Sequence, residues 1–142
     1  GDIVGSSGVK ELQKRLQKVK TEYNVDFVIV NGENAAEGMG LTEKNFKDIL
    51  FAGADCVTMG NHTWGKKEIF KFIDDPKLIR PANYPKAVCG KGYNIYKCKF
   101  NRRCFYLRFL FCALKHEAKP LADLTSARGI FGFIQLNISE II

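Results

Sequence analysis

The sequence predicts an α/β domain built on a largely parallel sheet with flanking helices, and two observations support this. Short apolar runs rich in β-branched residues, at 25–30 and 55–59, are typical of strands that are buried on both faces. Amphipathic helical patterns separate these runs, so strand and helix alternate over residues 1–97. Such alternation favours right-handed crossovers and a parallel sheet, in which ligands bind at the carboxyl ends of the strands.

The first part of the chain predicts two helices around a buried strand. Apolar residues recur every three or four positions over residues 9–23, and Ser6 or Ser7 can cap that helix. No strand is predicted before it, so we expect the first strand of the domain to be missing. A glycine-containing loop over residues 31–40 follows the strand at 25–30. Thr42 is predicted to cap the second helix and Gly53 to end it.

The remaining elements are shorter. A third helix is predicted over Lys66–Ile73, with Ile69, Phe70 and Ile73 facing inward. The predicted strands and turns after the second helix are a strand at 55–59, a polar loop at 60–65, a strand at Leu78–Ile79, a turn at 90–92, a strand at Tyr93–Lys97, and possible strands at 104–112 and 130–138.

Composition narrows the class of protein. Hydrophobic residues make up 46% of the 142 residues, which is typical of globular domains, and no apolar run is long enough to span a bilayer. The first residues are polar and do not resemble a secretory leader, although the chain does not begin with Met. The five cysteines are irregularly spaced and form no zinc-binding pattern, so we expect a reduced, cytoplasmic protein.

Residues 98–142 differ in texture from the rest. They contain seven of the basic residues, three acidic residues and six of the eleven Phe residues. Basic and aromatic residues that alternate in this way are found in proteins that bind single-stranded nucleic acid, so RNA is a possible partner. The alternatives are a β-hairpin strand of the core and a segment that lies outside the fold. These alternatives stay open, with the two structural ones favoured.

Five polar residues fall where the predicted strands end: Asp2, Glu33, Asn34, Asn61 and His62. Carboxylates, amide oxygens and imidazoles bind divalent metals, and an imidazole can also donate a proton to a leaving oxygen. Taken singly, each residue has a structural alternative, as a helix cap, a loop residue or a hydrogen-bonded histidine. Their recurrence at three successive strand ends favours a functional site.

The sequence around these residues resembles the calcineurin-like metallophosphoesterase superfamily. Gly-Asp opens the chain, Gly-Glu-Asn follows one predicted strand and Gly-Asn-His follows the next. The runs GDIVGSSG, DFVIVNGENAAEGMG, VTMGNHTWGKKEIF and IRPANYP are similar to its bacterial YmdB-type subfamily, which is similar to phosphodiesterases acting on 2′,3′-cyclic nucleotides. The resemblance covers about residues 1–97. It implies a four-layer α/β/β/α sandwich and a small phosphodiester or cyclic nucleotide as substrate.

The resemblance also implies roles for the five polar residues. Asp2 would bind one metal ion, Glu33 would bridge two, and Asn61 would bind the second. His62 would be the general acid or would bind the phosphate, and Asn34 would position the phosphate. The two metal ions implied are iron or manganese.

The chain departs from the superfamily pattern at both ends of the motif series. That pattern opens with D-x-H and closes with GHxH, whereas Ile3 and Val4 follow Asp2 here and the only other histidine is His116. We therefore expect at most a partial metal site and an impaired, truncated phosphodiesterase. Residues 1–97 would be the N-terminal part of the domain, and residues 98–142 a divergent or frameshifted tail. A non-catalytic module that binds phosphate, nucleotide or RNA is the alternative.

Overall fold

The computed structural model describes residues 2–97 and 104–108, which contain a parallel sheet with helices packed against it. Its strands are β1 (Asp2–Val4), β2 (Ile29–Asn34), β3 (Cys56–Thr58) and β4 (Leu78–Ile79), side by side in that order and all parallel. Helix α1 (Gly5–Glu22) follows β1, helix α2 (Glu43–Ala52) follows β2, and a 3-10 turn (Lys67–Lys71) precedes β4. The predicted α/β class, with a parallel sheet and flanking helices, is confirmed.

The register of the sheet aligns one residue from each strand. Asp2 pairs with Asn31, Asn31 pairs with Thr58, and Thr58 pairs with Ile79. Because the strands are parallel, the chain leaves all of them in the same direction beyond this row. The segments that follow β2, β3 and β4 therefore emerge along one edge of the sheet.

Helices α1 and α2 pack against each other and against the sheet, and the core lies between these layers. Side chains alternate between the two faces of a strand, and Gly32 of β2 faces the helical layer. A Cβ on Gly32 would lie 2.7 Å from Val57 Cγ1, so the close packing there requires glycine. The core residues are Ile3, Val9, Leu12, Leu16, Val30, Ala35, Leu41, Phe46, Ile49, Ala52, Ala54, Val57, Met59, Ile69, Ile73 and Leu78.

The predicted ends of α2 are confirmed. The Thr42 hydroxyl accepts a hydrogen bond from the Asn45 amide at 3.1 Å, which satisfies one of the free donors of the first turn. Gly53 has a φ of 112°, the left-handed conformation that a helix-terminating glycine adopts. The Lys20 ammonium of α1 donates to the Gly53 carbonyl at 2.9 Å, so α1 also helps to cap the end of α2.

Two strand predictions are wrong: one strand was expected to be missing, and the bounds of another differ. The expected absence of a first strand is corrected, because Asp2–Val4 forms β1 and pairs with β2. The strand predicted at 25–30 begins at Ile29 and continues through Asn34. Helix α1 ends in a turn at Tyr23 and Asn24, where Asn24 has a φ of 51°, and the Val25 amide still donates to the Lys20 carbonyl at 2.9 Å. Asn31, Glu33 and Asn34, which were predicted to lie in a loop after the strand, are therefore part of β2 itself.

The helix predictions also need correction. Ser6 and Ser7 do not cap α1, because the helix begins at Gly5 and both serines lie within it. The helix predicted over 66–73 is a 3-10 turn, in which residues three positions apart share a face. That periodicity turns Phe70 outward, where it is 58% exposed. Instead of entering the core, its ring stacks on Trp64 with centroids 5.5 Å apart.

A hairpin follows the parallel sheet. Strand β5 (Tyr93–Lys97) pairs antiparallel with β6 (Cys104–Arg108), as part of the strand predicted at 104–112. The hairpin continues past the domain boundary placed after residue 97, and that division stays a prediction. The rest of the 104–112 strand and the strand predicted at 130–138 lie outside the described residues. In the part of the chain that the structure describes, no helix has the length and apolar character needed to cross a bilayer.

Candidate functional site

The polar side chains of β1 and β2 meet the turn that follows β3 at the carboxyl edge of the sheet. Asn34, the last residue of β2, donates from its side-chain amide to the Asp2 carboxylate at 2.8 Å. Its amide oxygen lies 2.5 Å from His62 Nδ1. Asp2, Asn34 and His62 are therefore linked in one chain of hydrogen bonds, although they are far apart in sequence.

This chain of bonds fixes how the His62 ring is protonated. A carboxylate accepts hydrogen bonds only, so Asp2 orients the Asn34 amide with its nitrogen towards Asp2 and its oxygen towards His62. His62 Nδ1 must then carry the hydrogen and donate it to Asn34, which leaves Nε2 as the unprotonated ring nitrogen of the neutral imidazole. His62 as a whole is half-buried.

Glu33 lies beneath the same turn and is only 7% exposed. Its carboxylate accepts from the Asn31 side-chain amide at 3.2 Å and from the His62 main-chain amide at 3.0 Å. The Glu33 amide in turn donates to Asn31 Oδ1 at 3.1 Å. A buried carboxylate needs such donors to offset the loss of water, and here they also hold the turn against β2.

The turn Gly60–Thr63 presents Asn61 and His62. The Gly60 carbonyl accepts from the Thr63 amide at 3.2 Å and from the Thr63 hydroxyl at 2.6 Å, and Thr63 is fully buried. Asn61 is exposed at the tip of this turn. The predicted polar loop at 60–65 thus begins with a tight turn in which Gly60 and Thr63 are buried and Asn61 is exposed.

The structure brings four of the five predicted site residues into hydrogen-bond contact: Asp2, Glu33, Asn34 and His62. Asn61 shares the turn with His62 but lies exposed. Within residues 2–97 and 104–108, no three His, Cys, Asp or Glu side chains gather as a metal-binding group. Two carboxylates and neighbouring amide oxygens suit a hard divalent ion in kind, but they provide only part of a coordination shell. The metal-binding roles of these residues stay predictions.

Two residues of the site were missed from the sequence. Asn31 exchanges two hydrogen bonds with Glu33, and its position two residues earlier on the same face of a strand is the signal that predicts this. Gly60 faces the Glu33 carboxylate so closely that a Cβ would lie 2.5 Å from Glu33 Cδ and nearer still to both oxygens. A glycine directly before Asn61 and His62 is a sign of such a close approach.

A protein similar to this chain is named as a phosphodiesterase. A protein of Bacillus subtilis (strain 168) named 2′,3′-cyclic-nucleotide 2′-phosphodiesterase is 55% identical over 98 residues, which are 68% of this chain and 37% of that protein. The chain therefore spans well under half the length of this relative.

Solved structures have the same fold. A protein of Thermus thermophilus, described as hypothetical, matches with a TM-score of 0.70 and 32% identity over 78% of this chain and 42% of its own. A structure described as a novel phosphatase from Mycoplasma pneumoniae matches with a TM-score of 0.70 and 33% identity, over 78% of this chain and 40% of its own. The model of the family described as YmdB-like protein matches residues 1–111, which places the whole site inside the match. The chain therefore belongs to the YmdB-like protein family.

Proposed function

We propose that this chain provides part of the active site of a metal-dependent phosphodiesterase that acts on cyclic nucleotides or related small phosphodiesters. The observation that carries the proposal is the hydrogen-bonded cluster of Asp2, Glu33, Asn34 and His62 at the carboxyl edge of the sheet. A relative named as a 2′,3′-cyclic-nucleotide 2′-phosphodiesterase supports the choice of substrate class. Parallel sheets of α/β proteins bind their ligands at this edge.

His62 is the proton donor in this proposal. Its Nδ1 hydrogen is engaged with Asn34, so the proton that a leaving oxygen needs must come from Nε2 of the protonated ring. Asn34 and the Glu33 carboxylate hold the imidazole and its main chain at two points, so the ring is positioned before a substrate arrives. General acid catalysis by a residue held in this way contributes about 10²–10⁴-fold in rate.

Asp2, Glu33 and Asn61 are the residues that would hold metal ions, with iron or manganese as the metals proposed. A bound divalent pair would supply an activated water and neutralise charge on the phosphate. Asp2 is exposed and Glu33 is buried beneath the turn, so the two carboxylates approach the site from different depths. Among the described residues, no three His, Cys, Asp or Glu side chains are grouped so that they could hold a metal ion. We therefore expect weak turnover, or none, from this chain alone.

The test is metal-dependent hydrolysis by the full chain. Mn²⁺- or Fe²⁺-dependent release of product from bis-p-nitrophenyl phosphate and from 2′,3′-cAMP would be measured for the wild type, Glu33→Gln and His62→Ala. Mn²⁺ binding would be measured in parallel by electron paramagnetic resonance, which needs no turnover. Glu37→Gln is the matched control, because Glu37 is an exposed carboxylate only four residues from Glu33.

The expected result is loss of Mn²⁺ binding in Glu33→Gln and loss of hydrolysis in both site variants, with Glu37→Gln behaving as the wild type. Metal-dependent hydrolysis that survives both substitutions would show that the active site lies elsewhere. A wild type that binds 2′,3′-cAMP without Mn²⁺ and without turnover would instead be a nucleotide-binding module.

A further inference from the structure

The loop after β4 contacts the His62 turn through Tyr84. The Tyr84 hydroxyl donates to the Gly60 carbonyl at 3.1 Å. That carbonyl also accepts from Thr63, so donors from two separate segments of the chain converge on one oxygen. The Gly60 carbonyl belongs to the peptide bond that leads into Asn61. Fixing its direction therefore fixes the direction in which the turn presents Asn61 and His62.

Arg80 holds the loop that carries Tyr84. It is 6% exposed, and its guanidinium donates to three main-chain carbonyls: those of Pro81 at 2.9 Å, Val88 at 3.1 Å and Cys89 at 3.0 Å. A planar guanidinium has donors in a fixed fork, so one side chain can bind both ends of a loop. Arg80 thereby closes the loop over residues 81–89, with Tyr84 inside it.

The ring of Tyr84 makes a second contact with the same turn. Its centroid lies 6.0 Å from that of Trp64, which follows His62 by two residues. Trp64 is itself packed against the hydrophobic core, and the Gly65 amide donates to the His62 carbonyl at 2.9 Å. Tyr84 therefore contacts the turn on both sides of His62, through its hydroxyl before that residue and through its ring after it.

We infer that Tyr84 is a positioning residue for His62, and that Arg80 acts with it by holding its loop closed. The inference rests on the proposed function, in which His62 is the proton donor. Glu33 binds the turn from the β2 side through the His62 amide, and Tyr84 binds it from the β4 side through the Gly60 carbonyl. With one of these two anchors removed, the turn is free to shift, and the bond between the His62 ring and Asn34 lengthens.

Tyr84→Phe tests this with little effect on the fold. The substitution keeps the ring beside Trp64 and removes only the hydroxyl. The Gly60 carbonyl still has its Thr63 donors, so no buried acceptor is left unsatisfied. Tyr23→Phe is the matched control, since Tyr23 is 60% exposed at the end of α1.

The first readout is the ring nitrogen spectrum of His62 in the full chain labelled with ¹⁵N-histidine. The chain has two histidines, so a His116→Gln variant assigns the signals. In spectra recorded at about pH 8.5, where a neutral imidazole is observed, wild-type His62 should show one tautomer with the hydrogen on Nδ1. Tyr84→Phe should shift both ring nitrogens towards the averaged values of two exchanging tautomers, and Tyr23→Phe should not.

The second readout is hydrolysis of bis-p-nitrophenyl phosphate. Tyr84→Phe should lower kcat by about three- to tenfold, the effect of one hydrogen bond, with little change in KM. Arg80→Lys keeps the charge but lacks the planar fork of donors that spans both ends of the loop, so it should shift the His62 signals in the same direction. Unchanged His62 signals in Tyr84→Phe would overturn the inference for Tyr84, and unchanged signals in a folded Arg80→Lys would overturn it for Arg80. The spectrum decides this even if the wild type lacks turnover, in which case the proposed function fails separately.

Discussion

Replacement of Gly60 by alanine isolates the contact between the His62 turn and Glu33. The new Cβ would lie 2.5 Å from Glu33 Cδ, well inside the 3.0 Å below which real Cβ contacts are essentially never found. Gly60 is not among the glycines with positive φ, so alanine can adopt its backbone conformation. Any loss of stability therefore comes from the clash and not from backbone strain.

The size of the effect follows from the two ways in which the clash can be relieved. If the turn moves away, the cost is that of overpacking, about 1–3 kcal/mol. If the Glu33 carboxylate moves instead, it loses its bonds to the His62 amide and to Asn31, and a hydrogen bond to a charged group contributes about 1.5–3 kcal/mol. The structure relaxes by the route that costs less, so we expect a loss of about 1–3 kcal/mol. For a chain of 142 residues the melting temperature should fall by about 3–10 °C.

Urea and thermal unfolding, followed by circular dichroism, would measure this loss. Gly38→Ala is the control for backbone strain without a clash, because Gly38 has a φ of 78° and nothing lies within 4 Å of an added Cβ. It should cost only the left-handed backbone penalty, about 1 kcal/mol. In a Glu33→Ala background, Gly60→Ala should cost at least about 1 kcal/mol less than in the wild type, since the clashing group is gone. Additive costs in that double-mutant cycle would refute the reasoning.

Two further predictions concern the fold. Burial raises the pKa of the Cys56 thiol from 9.0 to about 12, so only the unfolded chain ionises there between these values. The stability that depends on this group is complete below pH 9 and is lost as the pH rises to about 12. The difference in unfolding free energy between wild type and Cys56→Ala should accordingly fall over that range, and a constant difference would contradict the assignment. Thr42→Ala should lower the free energy of unfolding by about 1 kcal/mol, because it removes the hydroxyl that accepts from the Asn45 amide at the start of α2. Thr21→Ala, at an exposed position, should cost less, and equal costs in urea unfolding would argue against the cap.

The sequence predicted the elements whose signals are local. Thr42 and Gly53 mark the ends of α2 because capping depends on a few adjacent residues. Strand bounds depend on pairing partners far along the chain, and here the prediction failed. The Val28 carbonyl accepts from the amides of Asp55 and Cys56, and this pairing with the segment at β3, not the apolar run, sets where β2 begins. The outward position of Phe70 was missed because a 3-10 turn and an α-helix share most of their sequence signals.

The candidate site was predictable in membership but not in connectivity. Residue type and position at strand ends were enough to select Asp2, Glu33 and His62. The orientation of the Asn34 amide, by contrast, follows from a carboxylate 32 residues away and an imidazole 28 residues away, and no local pattern encodes it. Tyr84 was missed for the same reason, since its bond to Gly60 joins two loops that only the fold brings together.

The register of the sheet gives these distant contacts a common origin. The paired row runs from Asp2 through Asn31 and Thr58 to Ile79. Glu33 lies two residues beyond this row on β2, and Gly60 lies two residues beyond it after β3. The Glu33 carboxylate and the turn that it supports are therefore at the same level along the strand direction. A slip of one residue between β2 and β3 would exchange the faces of the sheet and turn Glu33 into the helical layer. Burying an unpaired carboxylate there is costly enough to exclude that register, so the residues that build the site also help to specify the pairing that assembles it.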